Sequence, residues 1–547
     1  MVTRLAKRTT LLAAACLAAY TATPRLVHAA DAPDLSRWFR AASGTFAGQA
    51  GVKLSLAEAV RAAVANNPSI LAKAETPVKA REDIRTALAV YEPTFTAELS
   101  LSKSKTPTGN VLSGSEILKQ DERKSDFELS KLVQSGAQLG LAWTNLRTAT
   151  NSSFQGLVPQ FTPTLGLNFD QPLLRNFGAS DESTAVATAK NAADRAEAAF
   201  EVELSNFVMQ VINAYWDASL ADADVEVQRR SFELARELEH KARAMVEVGR
   251  QPPVAAREAQ AEAALRREGL ITSQNQLRLA NRRLQFLVQP KSREGRRMPA
   301  VIPIEKHVVR DLHVDRRASL DRALEHRAEL RGARSELIDS ILELRNARNQ
   351  KLPSFDLFGN YFLRGLGGTG QPVGNPPQVS KFSGSYGDAL DVLTSGDFYS
   401  FVVGVRMEVP LANTAAEARL GRSEAEQRRA LHGLQEAATE VALDVEEAVG
   451  NVESAFQRVD AARLARQLAE ENLKQERRRF ELGVVTTTDV LDFHDRLTRA
   501  SAAEIRAKAD HAKALDSLYE AEGTLLDHFG VNPQAYHASG DPWWSRF

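Results

Sequence analysis

Two aspartates three residues apart, Asp489 and Asp492, follow Thr486 at the head of a proline-free run. Positions three apart on a helix share a face, so both carboxylates can point the same way. The spacing also fits a quieter role, with Thr486 opening a capping box and Asp489 as a first-turn acid favoured by the helix dipole. Other chemistry is sparse. The ten histidines are scattered without metal-ligand spacing. No phosphate-binding glycine loop follows a strand and no nucleophile elbow occurs. No catalytic residue, metal or cofactor is expected. The formal net charge of −1 gives no electrostatic case for nucleic acid as a partner.

The elements that would position these carboxylates occur twice, about 235 to 260 residues apart. Pro93-Thr94-Phe95 opens an extended run in the first copy and Pro353-Ser354-Phe355 in the second. Leu165 to Leu173 matches Val403 to Leu411, closing on Gln171-Pro172-Leu173 and Val409-Pro410-Leu411. Each copy then enters an Ala-, Glu- and Arg-rich stretch ending at Gly249 or Gly483. A duplication of this size frames every other reading.

The strand-like runs alternate with period two: Phe95, Ala97, Leu99 and Leu101 lie opposite Thr94, Thr96, Glu98 and Ser100. Such a strand has unlike faces, and taken alone it reads first as the edge of a soluble antiparallel sheet. Residues 127–132 and 138–143, Phe127 through Trp143, flank Gln134-Ser135-Gly136 as an additional hairpin. The matching region of the second copy, 365–396, is rich in Gly, Pro and Ser and predicts an irregular surface loop. Helices are predicted over 181–248 and 415–482, about 68 residues and roughly 100 Å each. Return helices are predicted over 254–287 and 489–529. No single core is that long, so lateral coiled-coil-like packing is required. Leu204, Val208, Val211, Tyr215 and Ala218 supply one seam. Val441, Val445, Ala448, Val452, Ala455, Val459 and Ala462 supply the other.

Residues 1–29 read as a secretory signal peptide, with Arg4, Lys7 and Arg8 before an apolar run and Val27-His28-Ala29 before the cut. Cys16, the single cysteine, lies inside it; cleavage just before Cys16 is the lipoprotein alternative. The mature chain then has no thiol chemistry. The first repeat is assigned to 30–290, a surface linker to 291–310, the second repeat to 311–530 and a tail to 531–547. No later run of 18 or more apolar residues occurs, so no spanning helix is predicted. A closed β-barrel leaves a weaker trace.

In this order of elements, the closing strand motifs, and Phe480 through Asp492, the chain resembles the TolC-like outer-membrane efflux proteins from about Leu54 to Gly530. The resemblance implies a mixed fold: a homotrimer whose subunits give four strands each to a twelve-stranded membrane β-barrel, continuing into a periplasmic α-helical barrel. The hairpin at Phe127 to Trp143 departs from four strands, either lengthening a loop or pairing at the rim. The family's function would be a passive exit duct of a tripartite efflux pump or type I secretion system. Its partners would be a periplasmic adaptor, an inner-membrane transporter and outer-membrane lipid.

The resemblance maps the family's ring of gate carboxylates onto Asp489 and Asp492. Phe480 stands where the family usually has a gate tyrosine, and Val485 where it has a tip arginine, so a different set of closing bonds is expected. Val248, Gly249, Arg250 and Gln251 in the first tip, and Leu482, Gly483, Val484 and Val485 in the second, are candidate adaptor contacts. The competing reading is a periplasmic coiled-coil adaptor or scaffold, which explains the helices and leader but gives the paired strands no task.

Overall fold

The computed structural model describes residues 52–109, 114–249, 251–288, 301–305, 309, 314–374, 376–482 and 484–536. The leader with Cys16, the tip residues Arg250 and Gly483, most of the 291–310 linker and the end of the tail lie outside the described residues. The first repeat runs β1 (Val52–Leu54), α1 (Leu56–Asn66), α2 (Pro68–Leu88), β2 (Thr94–Pro107), β3 (Ile117–Leu132), β4 (Gln138–Thr150), β5 (Leu157–Pro172), α3 (Asp181–Glu247) and α4 (Pro253–Val288). After β6 (Val301–Pro303), the second repeat gives α5 (Arg316–His326), α6 (Ala328–Gln350), β7 (Ser354–Arg364), β8 (Gly367–Gly370), α7 (Tyr386–Ser395), β9 (Tyr399–Glu408), α8 (Thr414–Glu481), α9 (Thr487–Ala521) and the short α10 (Leu525–His528). The duplicated helix, strand and long-helix order is the one expected.

Each repeat opens with a broken helix. Asn67 is held extended by the proline that follows, and its side chain accepts from the Ser69 amide at 2.9 Å while donating to the Leu287 carbonyl at 3.0 Å. Arg327 makes the same break in the second copy without a proline, anchored by Asp444 at 2.8 Å and Glu329 at 3.0 Å.

The strands form one antiparallel path in the order β2-β3-β4-β5-β7-β9, with short β8 pairing on β5. Two expectations are corrected here. The additional hairpin neither lengthens a loop nor touches only the rim. It enters the sheet between β2 and β5 as two full strands, so among the described residues a subunit supplies six long strands where four were expected. Its inner part was readable because residues near Phe127 and Trp143 alternate. The outer part of β3, Gln120 to Lys124, is polar at every position and has no period to detect. Likewise, region 365–396 is not wholly irregular: it holds β8 and α7, whose buried Ala389 and Leu393 pack on the sheet. Gly365 faces the Ala389 carbonyl so closely that a Cβ there would sit 2.1 Å from the oxygen.

Below the sheet the helices lie side by side. Along its first half α3 meets α2 and α6, through Arg81–Glu197 and Arg195–Asp339. Along its second half it meets α4 and α9, with Trp216 donating to Asp516 at 3.1 Å. Helix α8 passes from α5 and α6 to α9 in the same way. The wall is therefore four helices wide at each level, α2-α3-α6-α8 nearer the sheet and α4-α3-α9-α8 farther away. The seam residues Leu204, Val208, Val211, Tyr215 and Ala218 are all fully buried, as are Val441, Val445, Ala448, Val452, Ala455 and Val459; Ala462 is half-buried.

The described stretch of the linker, 301–305, is built into the fold: β6 pairs in parallel with β1, Val301 opposite Val52. Tyr215 of α3 fastens this junction. Its hydroxyl donates to the Leu54 carbonyl at 3.1 Å and accepts from the Ile304 and Glu305 amides at 3.2 and 3.1 Å. Removing that oxygen leaves the Glu305 amide without this partner and leaves the Leu54 carbonyl and Ile304 amide only their mutual bond of 3.3 Å. Tyr215→Phe is expected to cost about 1–3 kcal/mol, read as a lowered urea midpoint, with protection from hydrogen exchange lost first at the Glu305 amide and then at Ile304.

Candidate channel wall and hairpin tips

The pairing register decides which side chains share a face of the sheet. Phe95 lies opposite Leu129, Leu129 opposite Leu141, Leu141 opposite Leu167, Leu167 opposite Tyr361 and Tyr361 opposite Phe401. One apolar band thus crosses all six long strands, and most of its members are exposed in the single chain. On edge strand β9 the band comprises Tyr399, Phe401, Val403, Val405 and Met407, with Val403 71% exposed. The opposite face carries Glu98, Glu122, Lys124, Asp126, Glu128, Asp170, Asp356 and Arg406 by the same alternation, while toward the far end the band's own face turns polar with Lys103, Asp121, Arg123 and Arg147. A soluble sheet would cover such a band with its own helices; here the long helices leave from one end instead. Turn geometry agrees. The β3–β4 connection at Ser135 lies beside Gln171 at the helical end, with Ser135 donating to the Gln171 side chain at 3.1 Å. The longer β2–β3 and β4–β5 connections lie at the far end. Short turns on one side and longer loops on the other are the habit of barrels in outer membranes.

At the opposite end of the molecule, α3 turns into α4 at Gly249, whose φ of +72° needs no Cβ. Helix α8 turns into α9 at the second tip. Thr486 caps α9 as one alternative foresaw: its side chain accepts from the Asp489 amide at 3.3 Å, and the Asp489 carboxylate accepts from the Thr486 amide at 2.8 Å. Bonds donated to the Asp489 carboxylate, first by the Thr486 hydroxyl at 2.7 Å and then by its backbone amide, hold this carboxyl below the usual carboxylate range. Capping does not remove it from solvent. Asp489 and Asp492 are both exposed on the α9 face that the core does not use.

Phe480 and Val485 turn inward. Phe480 is buried with Leu238, Leu473, Val490 and Leu491, and Val485 packs against that cluster. An arginine at 485 would have to leave this contact. Val248, Leu482 and Val484 are exposed, Leu482 to 79%, while Gln251 is half-buried.

Two features of the tips escaped the sequence reading because their partners are more than 200 residues apart. Arg266 of α4 donates to Asp495 of α9 at 2.7 Å and reaches Glu262 at 2.5 Å. Nearer the tip, Thr488 donates to Glu258 at 3.4 Å. Together they join the two hairpins of one chain. Beside this clamp sits His494, buried, with Arg266 and Arg477 close by and Asp495 opposing them. Burial, then the two guanidinium groups, lower its pKa to about 4.

The outer membrane efflux protein family matches residues 319–524, the second repeat. The fold is found in solved structures. The Campylobacter jejuni CmeC outer membrane channel is 14% identical, with a TM-score of 0.61 over 86% of each chain. The outer membrane protein VceC of Vibrio cholerae is 17% identical, TM-score 0.58, over 86% of this chain and 96% of that one. The open-state MtrE outer membrane channel of Neisseria gonorrhoeae is 17% identical, TM-score 0.58, over 86% and 89%. No curated protein sequence matches the chain. The second repeat thus matches the outer membrane efflux protein family, and the whole chain shares the fold of these outer-membrane channels. The fold is that of outer-membrane channel proteins. The family match alone would not have pointed to the Arg266–Asp495 clamp, since Arg266 lies in the first repeat, outside the matched residues.

His494 gives the tip a pH dependence with a definite sign. Its folded pKa lies below the unfolded value near 6.5, so the unfolded chain binds the extra proton and stability falls as pH drops from 6.5 towards 4. The loss is at most about 3 kcal/mol. Hydrogen exchange in the first turns of α9 is expected to quicken on acidification across this range, and His494→Leu to remove most of that change.

Proposed function

We propose that the chain is the outer-membrane exit duct of a tripartite efflux pump or type I secretion system. It conducts substrates passively from an inner-membrane transporter and periplasmic adaptor to the exterior, with no catalytic step of its own. The observation that carries this is the exposed apolar band running across six antiparallel strands of a sheet with two open edges. Lipid covers the band, and identical subunits cover the edges. Three copies make the cylinder, and the helical wall then continues through the periplasm. A periplasmic scaffold, the other reading, leaves the band in water.

At the entrance, Asp489 and Asp492 from three subunits give six carboxylates around the opening, a ring that draws in cations. The exposure of both supports this. Arg266–Asp495 ties the two hairpins of each subunit, a restraint that does not depend on residue 485. The bare apolar residues Val248, Leu482 and Val484, with Gly249 and Gln251 beside them, are the surface offered to an adaptor.

In planar bilayers the purified protein is expected to conduct. Asp489→Ala with Asp492→Ala is expected to lower cation over anion permeability several-fold and weaken block by multivalent cations. Unchanged selectivity in that double variant removes the carboxylates from the lumen. Arg266→Ala is expected to raise single-channel conductance, and an unaltered value denies the clamp a part in closure.

A further inference from the structure

We propose that three copies of this chain close an eighteen-stranded barrel, with the β3–β4 hairpin as part of the membrane wall. Edge strand β9 then pairs with β2 of the next copy in a register set by the duplication. This rests on the exit-duct reading and adds to it the width of the duct in the membrane.

The hairpin qualifies as wall on three counts. It lies between β2 and β5, bonded to both along nearly its whole length. It places Phe127, Leu129, Leu139, Leu141 and Trp143 on the apolar face in register with neighbouring strands. Its turn is short and sits at the helical end. Removing it from the sheet would expose the backbone groups of β2 and β5 that now bond to it, which lipid does not tolerate. Six strands are also an even number, so β2 rises where β9 descends. Copies can therefore join edge to edge in the same antiparallel sense as every pair inside the chain.

The width agrees with the helices. Strands about 4.8 Å apart and tilted about 40° give a girth near ~110 Å for eighteen and ~75 Å for twelve. Three walls of four helices spaced about 9 Å apart also give ~110 Å. With eighteen strands the tube passes from helix to sheet without narrowing, so bulky cargo that fits the helical barrel also fits the membrane segment.

The duplication supplies the register. Inside the chain, β5 closes the first repeat against β7 of the second, with Pro172 opposite Asp356, Phe169 opposite Gly359 and Leu167 opposite Tyr361. The equivalent positions are Pro410, Met407 and Val405 on β9, and Thr96, Leu99 and Leu101 on β2. The junction between copies thus sets Met407 beside Leu99 and Val405 beside Leu101. All four are apolar, all are exposed in the single chain, and all belong to the band's face.

The test uses the full chain reconstituted in vesicles, with single cysteines in a mature sequence that otherwise has none. Leu141→Cys on the hairpin and Phe401→Cys on β9 each carry an environment-sensitive fluorophore, quenched by brominated phospholipid. Equal quenching at both sites is expected. Quenching at 401 but not at 141 overturns the hairpin's place in the wall and leaves the exit-duct reading standing; quenching at neither site overturns both. The Leu99→Cys, Met407→Cys double variant is expected to yield covalent trimers on oxidation. An assembled trimer that fails to crosslink there overturns the register. In cryo-EM cross-sections, eighteen strands give a backbone diameter of about 36 Å. A diameter of about 24 Å, the twelve-strand value, overturns the count.

Discussion

A strand edge in hydrocarbon has no water to bond to, and on the exit-duct proposal that single fact governs this molecule. Every amide and carbonyl of β2 and β9 that faces outward from the sheet must find a partner within the protein. No described element of the chain covers either edge, and the apolar band beside them is bare. The proposed closure by further copies would supply the partners and seal the surface at once. A single subunit is then an incomplete object by construction. The features that look defective in isolation, an oily sheet face and two open edges, are its interfaces.

The helices answer a related problem of shape. Rods of 67 and 68 residues cannot surround a core, so they bury a narrow seam along their length. Alanine and valine in the seam let the axes approach closely. Between seams, charged pairs such as Arg458–Asp510 and Arg429–Glu336 lie on exposed surface, where each contributes little stability. What they do provide is a polar face on either side of a wall one helix thick. Tyr215 and the β1–β6 pair then belt the middle, tying the start of the first repeat to the linker before the second.

At the tips the physics changes from packing to charge. Apolar Phe480 and Val485 hold α3, α8 and α9 together, leaving the clamp between hairpins to Arg266 and Asp495, which are only partly exposed. Partial burial strengthens such a pair relative to one in open water, and makes its loss costly. Asp489 serves twice: it completes the cap of α9 and still presents its charge to solvent. A capping role and a place in a carboxylate ring do not compete, because the cap uses one carboxylate oxygen and the helix start keeps the group ionised.

Sequence alone determined the parts of this protein that rest on local periodicity and on repetition. The seam from Leu204 to Ala218, the cap at Thr486 and the duplicated strand motifs were all legible, because neighbours within a few residues specify them. Tertiary structure alone decided how many strands share the sheet, since the polar run from Gln120 to Lys124 becomes a strand only by bonding to β2 and β4. It likewise decided that Arg266 meets Asp495 and that Tyr215 collects Leu54, Ile304 and Glu305. Those contacts join residues 89 to 229 positions apart, and no local pattern encodes a distance of that kind.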